Sequence, residues 1–158
     1  GEVSYTDFIT EIAEAGFDVD TITLAKSRRC SKDVCEYINS KLGISITSSG
    51  DNSGSIIWAD DNPTSVLDND QIIKLVFQEA AIYTFPALNW SYSKGDTFNS
   101  ACVILTDGLD NLDSDKFNSK KIKPSTLNKL YVAMTRSRGD LYLIKASTFK
   151  TLKVNYTT

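Results

Sequence analysis

Short apolar runs rich in β-branched residues alternate along this chain with longer stretches whose apolar residues recur every three to four positions. That alternation limits the fold more than any other feature, because the first pattern suits strands and the second suits helices. The plainest case lies near the carboxy terminus. Leu127, Leu130, Tyr131 and Met134 fall at i, i+3, i+4 and i+7 behind Pro124 and Ser125, with Gly139 as the stop and a closing strand over 141–145. Ser31 is placed to cap a further helix with the stripe Val34, Cys35, Ile38 and Leu42, closed by Gly43 where a left-handed residue is needed. Another helix is expected from the Ser4/Asp7 capping pair through Tyr5, Phe8, Ile9 and Ile12 to Gly16. Residues 21–25, 71–77, 88–90 and 101–106 read as strands. Between 43 and about 61 the chain is rich in Ser, Gly and Asn, and a hairpin or irregular excursion is expected; 107–123 reads as a solvated loop. The predicted class is α/β with a mostly parallel sheet flanked by helices.

Composition narrows what such a domain can do. The 158 residues, 41% hydrophobic and 23% charged, suit a single domain. No apolar run approaches the roughly 18 residues of a membrane span, and the amino terminus lacks a signal-peptide layout, so no membrane partner and a cytoplasmic setting are expected. Cys30, Cys35 and Cys102 are too few for a disulfide scaffold or a four-thiolate zinc site and are read as small buried hydrophobes. Histidine is absent, which excludes His-based acid-base catalysis, Ser-His and Cys-His nucleophiles, and His-containing zinc sites. With 17 Lys plus Arg against 20 Asp plus Glu, any nucleic-acid contact must be local rather than a basic coat. None of the eight glycines is followed by lysine, so there is no phosphate-binding G-x-x-x-x-G-K-[ST] loop. Ile56 to Asp61 superficially resembles a magnesium-holding strand end but is read as an ordinary one. No metal site and no self-sufficient catalytic constellation are expected. Because the chain starts at Gly1 and its one methionine is Met134, it is expected to be an excised piece.

Three cationic turns remain, placed after strands or at helix ends, where an α/β sheet presents ligands. They are Ser27-Arg28-Arg29-Cys30-Ser31, Trp90-Ser91-Tyr92-Ser93-Lys94-Gly95-Asp96-Thr97-Phe98, and Tyr131-Val132-Ala133-Met134-Thr135-Arg136-Ser137-Arg138. At 100° per residue Arg136 lies about 180° from the Leu127 stripe and is expected to project outward. A guanidinium held at a helix end suits bidentate binding of phosphate; a solvated arginine opposing the helix dipole is the plainer alternative.

In this order the three segments resemble motifs IV, V and VI of superfamily one helicases of the UvrD/Rep type, over residues from about 20 to 146. The third is the most specific, and Lys94-Gly95-Asp96-Thr97-Phe98 looks like a variant of the family's Lys-Gly-x-Glu-Phe. The resemblance implies a RecA-like three-layer domain spanning 1–158, the second half of a two-domain ATP-dependent DNA helicase or translocase. On it, Arg136 corresponds to an arginine finger reaching the γ-phosphate, and Arg29 to a second phosphate-contacting arginine. Such a residue is worth about 10³ to 10⁵ in rate. Lys94, Gly95 and Thr97 would link nucleotide contacts to the strand groove, while Trp90, Ser91 and Tyr92 would face single-stranded DNA. Trp90 and Tyr92 read equally well as core aromatics. ATP and Mg2+ would be held mainly by a preceding RecA-like domain that is missing from this chain, and the domain alone is expected to be inert. The family commonly has histidine at Ser91 and glutamate at Thr97, and no large accessory domain fits between Gly43 and Leu88. The alternative is a non-catalytic RecA-like module that binds protein or nucleic acid.

Overall fold

The computed structural model of the chain describes residues 25–27, 31–44, 46–48, 53–92 and 98–158. The helix expected over residues 4–16 and most of the strand expected over 21–25 lie outside them.

Seven short strands and four helices are present among these residues. In chain order they are β1 (Ala25–Ser27), α1 (Lys32–Leu42), β2 (Ile46–Ser48), β3 (Ile56–Trp58), α2 (Pro63–Leu67), β4 (Ile73–Val76), β5 (Ala87–Asn89), β6 (Ala101–Ile104), α3 (Pro124–Met134), β7 (Leu141–Ile144) and α4 (Ala146–Lys150). The boundaries follow local chemistry. The Ser31 hydroxyl accepts the Val34 amide at the start of α1, and Gly43 ends that helix at φ 69°. Pro124 sits in the first turn of α3, where its missing N–H costs nothing.

The main sheet has the order β3-β7-β6-β4-β5, and every pairing in it is parallel. β1 and β2 pair in parallel as a separate ribbon. β2 and β3, which follow Gly43, are therefore not the two arms of a hairpin. The two apolar pairs of this segment go to different sheets, β2 beside β1 and β3 beside β7.

Alternation along the strands divides the core in two. Ala101, Val103, Leu141 and Leu143 pack with the stripes of α1 and α3. Cys102, Ile104 and Ile144 face the opposite way, toward Val66 and Leu67 of α2 and Phe149 of α4. The molecule is thus a three-layer α/β domain with its sheet in the middle. Segment 107–123 is more than a solvated loop. Leu109 and Leu112 are fully buried, and the Asp110 carboxylate accepts the Ala146 and Ser147 amides at 2.6 and 3.1 Å, capping α4.

Burial decides two of the three cysteines and one lysine, Cys30 lying outside the described residues. Cys35 and Cys102 are buried, and desolvation pushes the Cys102 thiol up to about 12, which removes it as a nucleophile. Lys74, opposite Cys102 in the sheet, is 0% exposed. Its ammonium donates to the Asn69 carbonyl at 2.7 Å and lies 5.6 Å from the Phe85 ring centroid, and burial holds its pKa below the ordinary lysine value.

Candidate functional site

The ends of the second and third cationic segments meet where β6 and β7 begin. Phe98 and Ser137 form a parallel bridge: the Phe98 amide donates to the Arg136 carbonyl at 2.8 Å, and the Arg138 amide donates to the Phe98 carbonyl at 2.8 Å. The Gly139 amide continues the pairing onto the Asn99 carbonyl at 3.0 Å. The chain entering β3 joins the same edge, because the Leu141 amide donates to the Ser55 carbonyl at 2.9 Å and the Ser55 amide to Asp140 Oδ1 at 3.0 Å. Ser31 reaches in as well, its hydroxyl donating to the Gly54 carbonyl at 3.1 Å. The segments thus converge on the amino-terminal edge of the strands rather than the edge after them. Only residues without a Cβ permit this approach. A Cβ on Gly54 would stand 2.2 Å from the Gly139 carbonyl carbon and oxygen.

Arg136 does not project outward. The helix ends at Met134, so 100° periodicity no longer applies two residues later, and the side chain is 2% exposed. Its guanidinium carbon lies 6.0 Å from the ring centroid of Tyr92, a cation–π contact that joins the third segment to the second. Trp90 belongs to the core. It is 1% exposed, its Nε1 donates to the Leu75 carbonyl at 3.0 Å, and it meets Phe77 edge-to-face at 5.4 Å. That is the second of its two readings, and in this position its ring offers no face for stacking. Tyr92 is half-buried and Ser91 exposed, beyond the end of β5. Arg29, Lys94, Gly95 and Thr97 lie outside the described residues.

Arg138, the last residue of the third segment, and Asn99 join this edge without having been candidate contacts. Arg138 is exposed, its Nη2 donates to Asn99 Oδ1 at 3.1 Å, and with Ser53, Asn99 and Gly139 it lines an open hollow of about 280 Å³. The Arg136-x-Arg138 spacing was the available signal. Of two arginines two residues apart, one is buried with Tyr92 among its contacts and the other faces solvent.

At the opposite edge Asp60, just beyond the end of β3, accepts the Lys145 amide at 3.0 Å. Lys145 in turn pairs with Asp113 at 3.1 Å, and that contact raises its pKa. Among the described residues there is no group of three or more acidic or cysteine side chains arranged to hold a metal ion.

An all-parallel sheet between helical layers makes this an α/β domain of the RecA-like kind. No protein-family model matches the chain, and no curated protein matches it. Among solved structures it is similar to parts of viral helicases. One is arterivirus nonstructural protein 10 (helicase), at TM-score 0.47 and 12% identity over 76% of this chain and 24% of that one. A second is the arterivirus nonstructural protein 10 (helicase) complex with DNA, at 0.49 and 15% over 81% and 27%. A third is PRRSV nsp10 (helicase), at 0.45 and 17% over 89% and 29%. The chain spans about a quarter of the length of these structures. No helix among the described residues is long and apolar enough to cross a membrane.

Proposed function

We propose that this chain is the second RecA-like domain of an ATP-dependent superfamily one helicase or translocase of the UvrD/Rep kind. In this reading Arg136, with Arg29, supplies positive charge to the transferring phosphoryl group of ATP held by the preceding domain. Phosphoryl transfer depends on positioning and charge more than on covalent chemistry, so a domain with no nucleophile or general base of its own can still contribute the decisive cation. One observation supports the reading above the rest: Arg136 is bonded through its backbone to Phe98 and packed through its side chain on Tyr92. The segment proposed to touch nucleic acid and the segment proposed to touch nucleotide are therefore one physical unit.

Lys94, Gly95 and Thr97 are the proposed link between the two, and Ser91 and Tyr92 the proposed contacts to single-stranded DNA. Mg2+ would screen the phosphates when bound with ATP, and its ligands are assigned to the preceding domain. For Arg136 to reach a phosphate, its buried side chain must be uncovered, and the Tyr92 ring is one of the groups packed against it. Strand binding at Ser91 and Tyr92 is the event expected to do that, which would make hydrolysis depend on the strand.

The test uses the longer protein, with both domains. Arg136→Ala and Arg136→Lys are expected to abolish strand-stimulated ATP turnover while nucleotide still binds. The isolated chain is expected to show no turnover. Robust turnover by the isolated chain, or an unaffected Arg136→Lys enzyme, refutes the proposal. The burial of Arg136 favours a second reading, a RecA-like module that binds without catalysing. Absence of a G-x-x-x-x-G-K-[ST] segment upstream of Gly1 in the reading frame would decide for that second reading.

A further inference from the structure

Arg138 is an exposed arginine without an acid, on an edge of fixed backbone. Its amide donates to the Phe98 carbonyl at 2.8 Å, and the Gly139 amide to the Asn99 carbonyl at 3.0 Å. Its Nη2 donates to Asn99 Oδ1 at 3.1 Å, so one end of the guanidinium fork is held. No carboxylate among the described residues pairs with it. Asp140, its nearest acid in sequence, gives Oδ1 to the Ser55 amide at 3.0 Å. At the opposite edge the cations Lys145 and Lys150 do have partners, Asp113 and Asp107.

The hollow beside Arg138 has room for one side chain. Ser53, Asn99, Arg138 and Gly139 line about 280 Å³ of open space. That is below the roughly 300–1,000 Å³ of small-molecule pockets. Its free groups are donors. The Arg138 fork matches the two oxygens of a planar carboxylate. With Asn99 Oδ1 taken by Arg138, the Asn99 amide nitrogen and the Ser53 hydroxyl remain to meet the same acid. The rim is backbone in close contact, since a Cβ on Gly139 would stand 2.7 Å from the Asn99 carbonyl oxygen. Its place in the fold supplies the partner. Phe98 is bonded through its amide to Arg136 and through its carbonyl to Arg138, so a body that carries phosphate to Arg136 also arrives over this hollow.

We propose that Arg138 takes an aspartate or glutamate side chain of the preceding domain when the two domains close on ATP. The inference rests on the two-domain reading above and adds to it a contact that involves no phosphate. Arg138 is then a positioning residue, with Asn99 orienting its fork before the acid arrives. Its contact exists in the closed state and not in the open one. It therefore shifts that equilibrium, and with it the apparent affinity for ATP, while the chemical step stays with Arg136. Loss of one hydrogen-bonded contact between charged groups changes such an equilibrium roughly tenfold.

The test uses the longer protein, with Arg138→Gln and with Asn99→Asp, which offers the guanidinium a carboxylate from its own chain. Both positions are exposed, so folding is expected to survive. Each variant is expected to raise the ATP concentration at half-maximal turnover roughly tenfold while kcat at saturating ATP is kept. Arg138→Lys is then treated with a carbodiimide in the presence of a non-hydrolysable ATP analogue, and the amide-linked peptides are mapped by mass spectrometry. The introduced amine is expected to join a carboxylate upstream of Gly1. An unchanged half-saturation point in both variants overturns the proposal, as does a loss of kcat equal to that of Arg136→Lys, which would place Arg138 on phosphate. A coupled product confined to this chain or to a second copy, or no product, overturns it too. The coupling needs no turnover, so it reports on Arg138 even where an unaffected Arg136→Lys enzyme has refuted the role of Arg136.

Discussion

Gly54→Ala is the sharpest test of how the arginine-bearing edge is built. The added methyl would sit 2.2 Å from the Gly139 carbonyl carbon and oxygen and 2.8 Å from the Asp140 nitrogen. Ordinary contact begins near 3.4 Å, so the shortfall from 2.2 Å is about 1.2 Å, and it falls on backbone that cannot rotate away. Overpacking of this kind costs about 1–3 kcal/mol. Moving β3 away from β7 also loosens the Leu141 amide to Ser55 carbonyl bond and the Ser55 amide to Asp140 carboxylate bond. Each is worth about 0.5–1.5 kcal/mol. A total of about 2–6 kcal/mol follows, and at roughly 2–4 °C per kcal/mol for a domain of this size Tm falls by about 4–24 °C. Gly108→Ala is the control, since a Cβ there meets nothing within 4 Å. Its effect is expected to stay within about 0.5 kcal/mol. The assay is thermal and urea unfolding of both variants beside the parent chain. A Gly54→Ala midpoint equal to that of Gly108→Ala would refute the close approach, and with it the convergence of the segments at this edge.

Lys74 gives a pH dependence whose sign is fixed. Burial holds its folded pKa below the unfolded 10.5, so the unfolded chain binds more protons between the two values and stability rises with pH across that window. Lys74→Met is expected to flatten the rise in urea midpoint as pH approaches 10.5 from below; a slope identical to that of the parent chain would contradict the assignment. Asp110→Ala removes the carboxylate that caps α4 through the Ala146 and Ser147 amides. A loss of about 1 kcal/mol is expected in the same assay, with Asp110→Asn retaining part of it.

Where the sequence carried local chemistry, the elements were legible. Ser31 and Gly43 bound α1 because a side-chain cap and a left-handed residue are decided within a few positions of each other. The strands at 73–76, 101–104 and 141–144 were visible as apolar runs, because in a parallel sheet covered on both faces each residue of a strand meets one core or the other. The parallel placement of β2 and β3 was not legible. Strand direction depends on which distant strand supplies the partner, and Ile46 and Ile56 carry no local mark of Ala25 or Leu141. Leu109 and Leu112 were hidden for a related reason, being single apolar residues among charges with no period to announce their burial.

The site shows the same division at the scale of one side chain. Helical periodicity placed Arg136 on the solvent side, an inference that holds only while the backbone remains helical, and α3 stops at Met134. Beyond that point the direction of the side chain is set by pairing. Arg136 gives its carbonyl to the Phe98 amide, Arg138 gives its amide to the Phe98 carbonyl, and the two guanidinium groups diverge into Tyr92 and into solvent beside Asn99. Motif spacing recorded that an arginine is present but not whether it is available. Availability depends on long-range contacts, of which the one with Tyr92 comes from 44 positions earlier. The observable that links sequence motif to function is therefore the accessibility of the Arg136 guanidinium with and without a bound strand, read by the hydrogen exchange of its Nε proton. Protection that is already low in the free chain, or that rises when a strand binds, would break the proposed coupling between Tyr92 and Arg136.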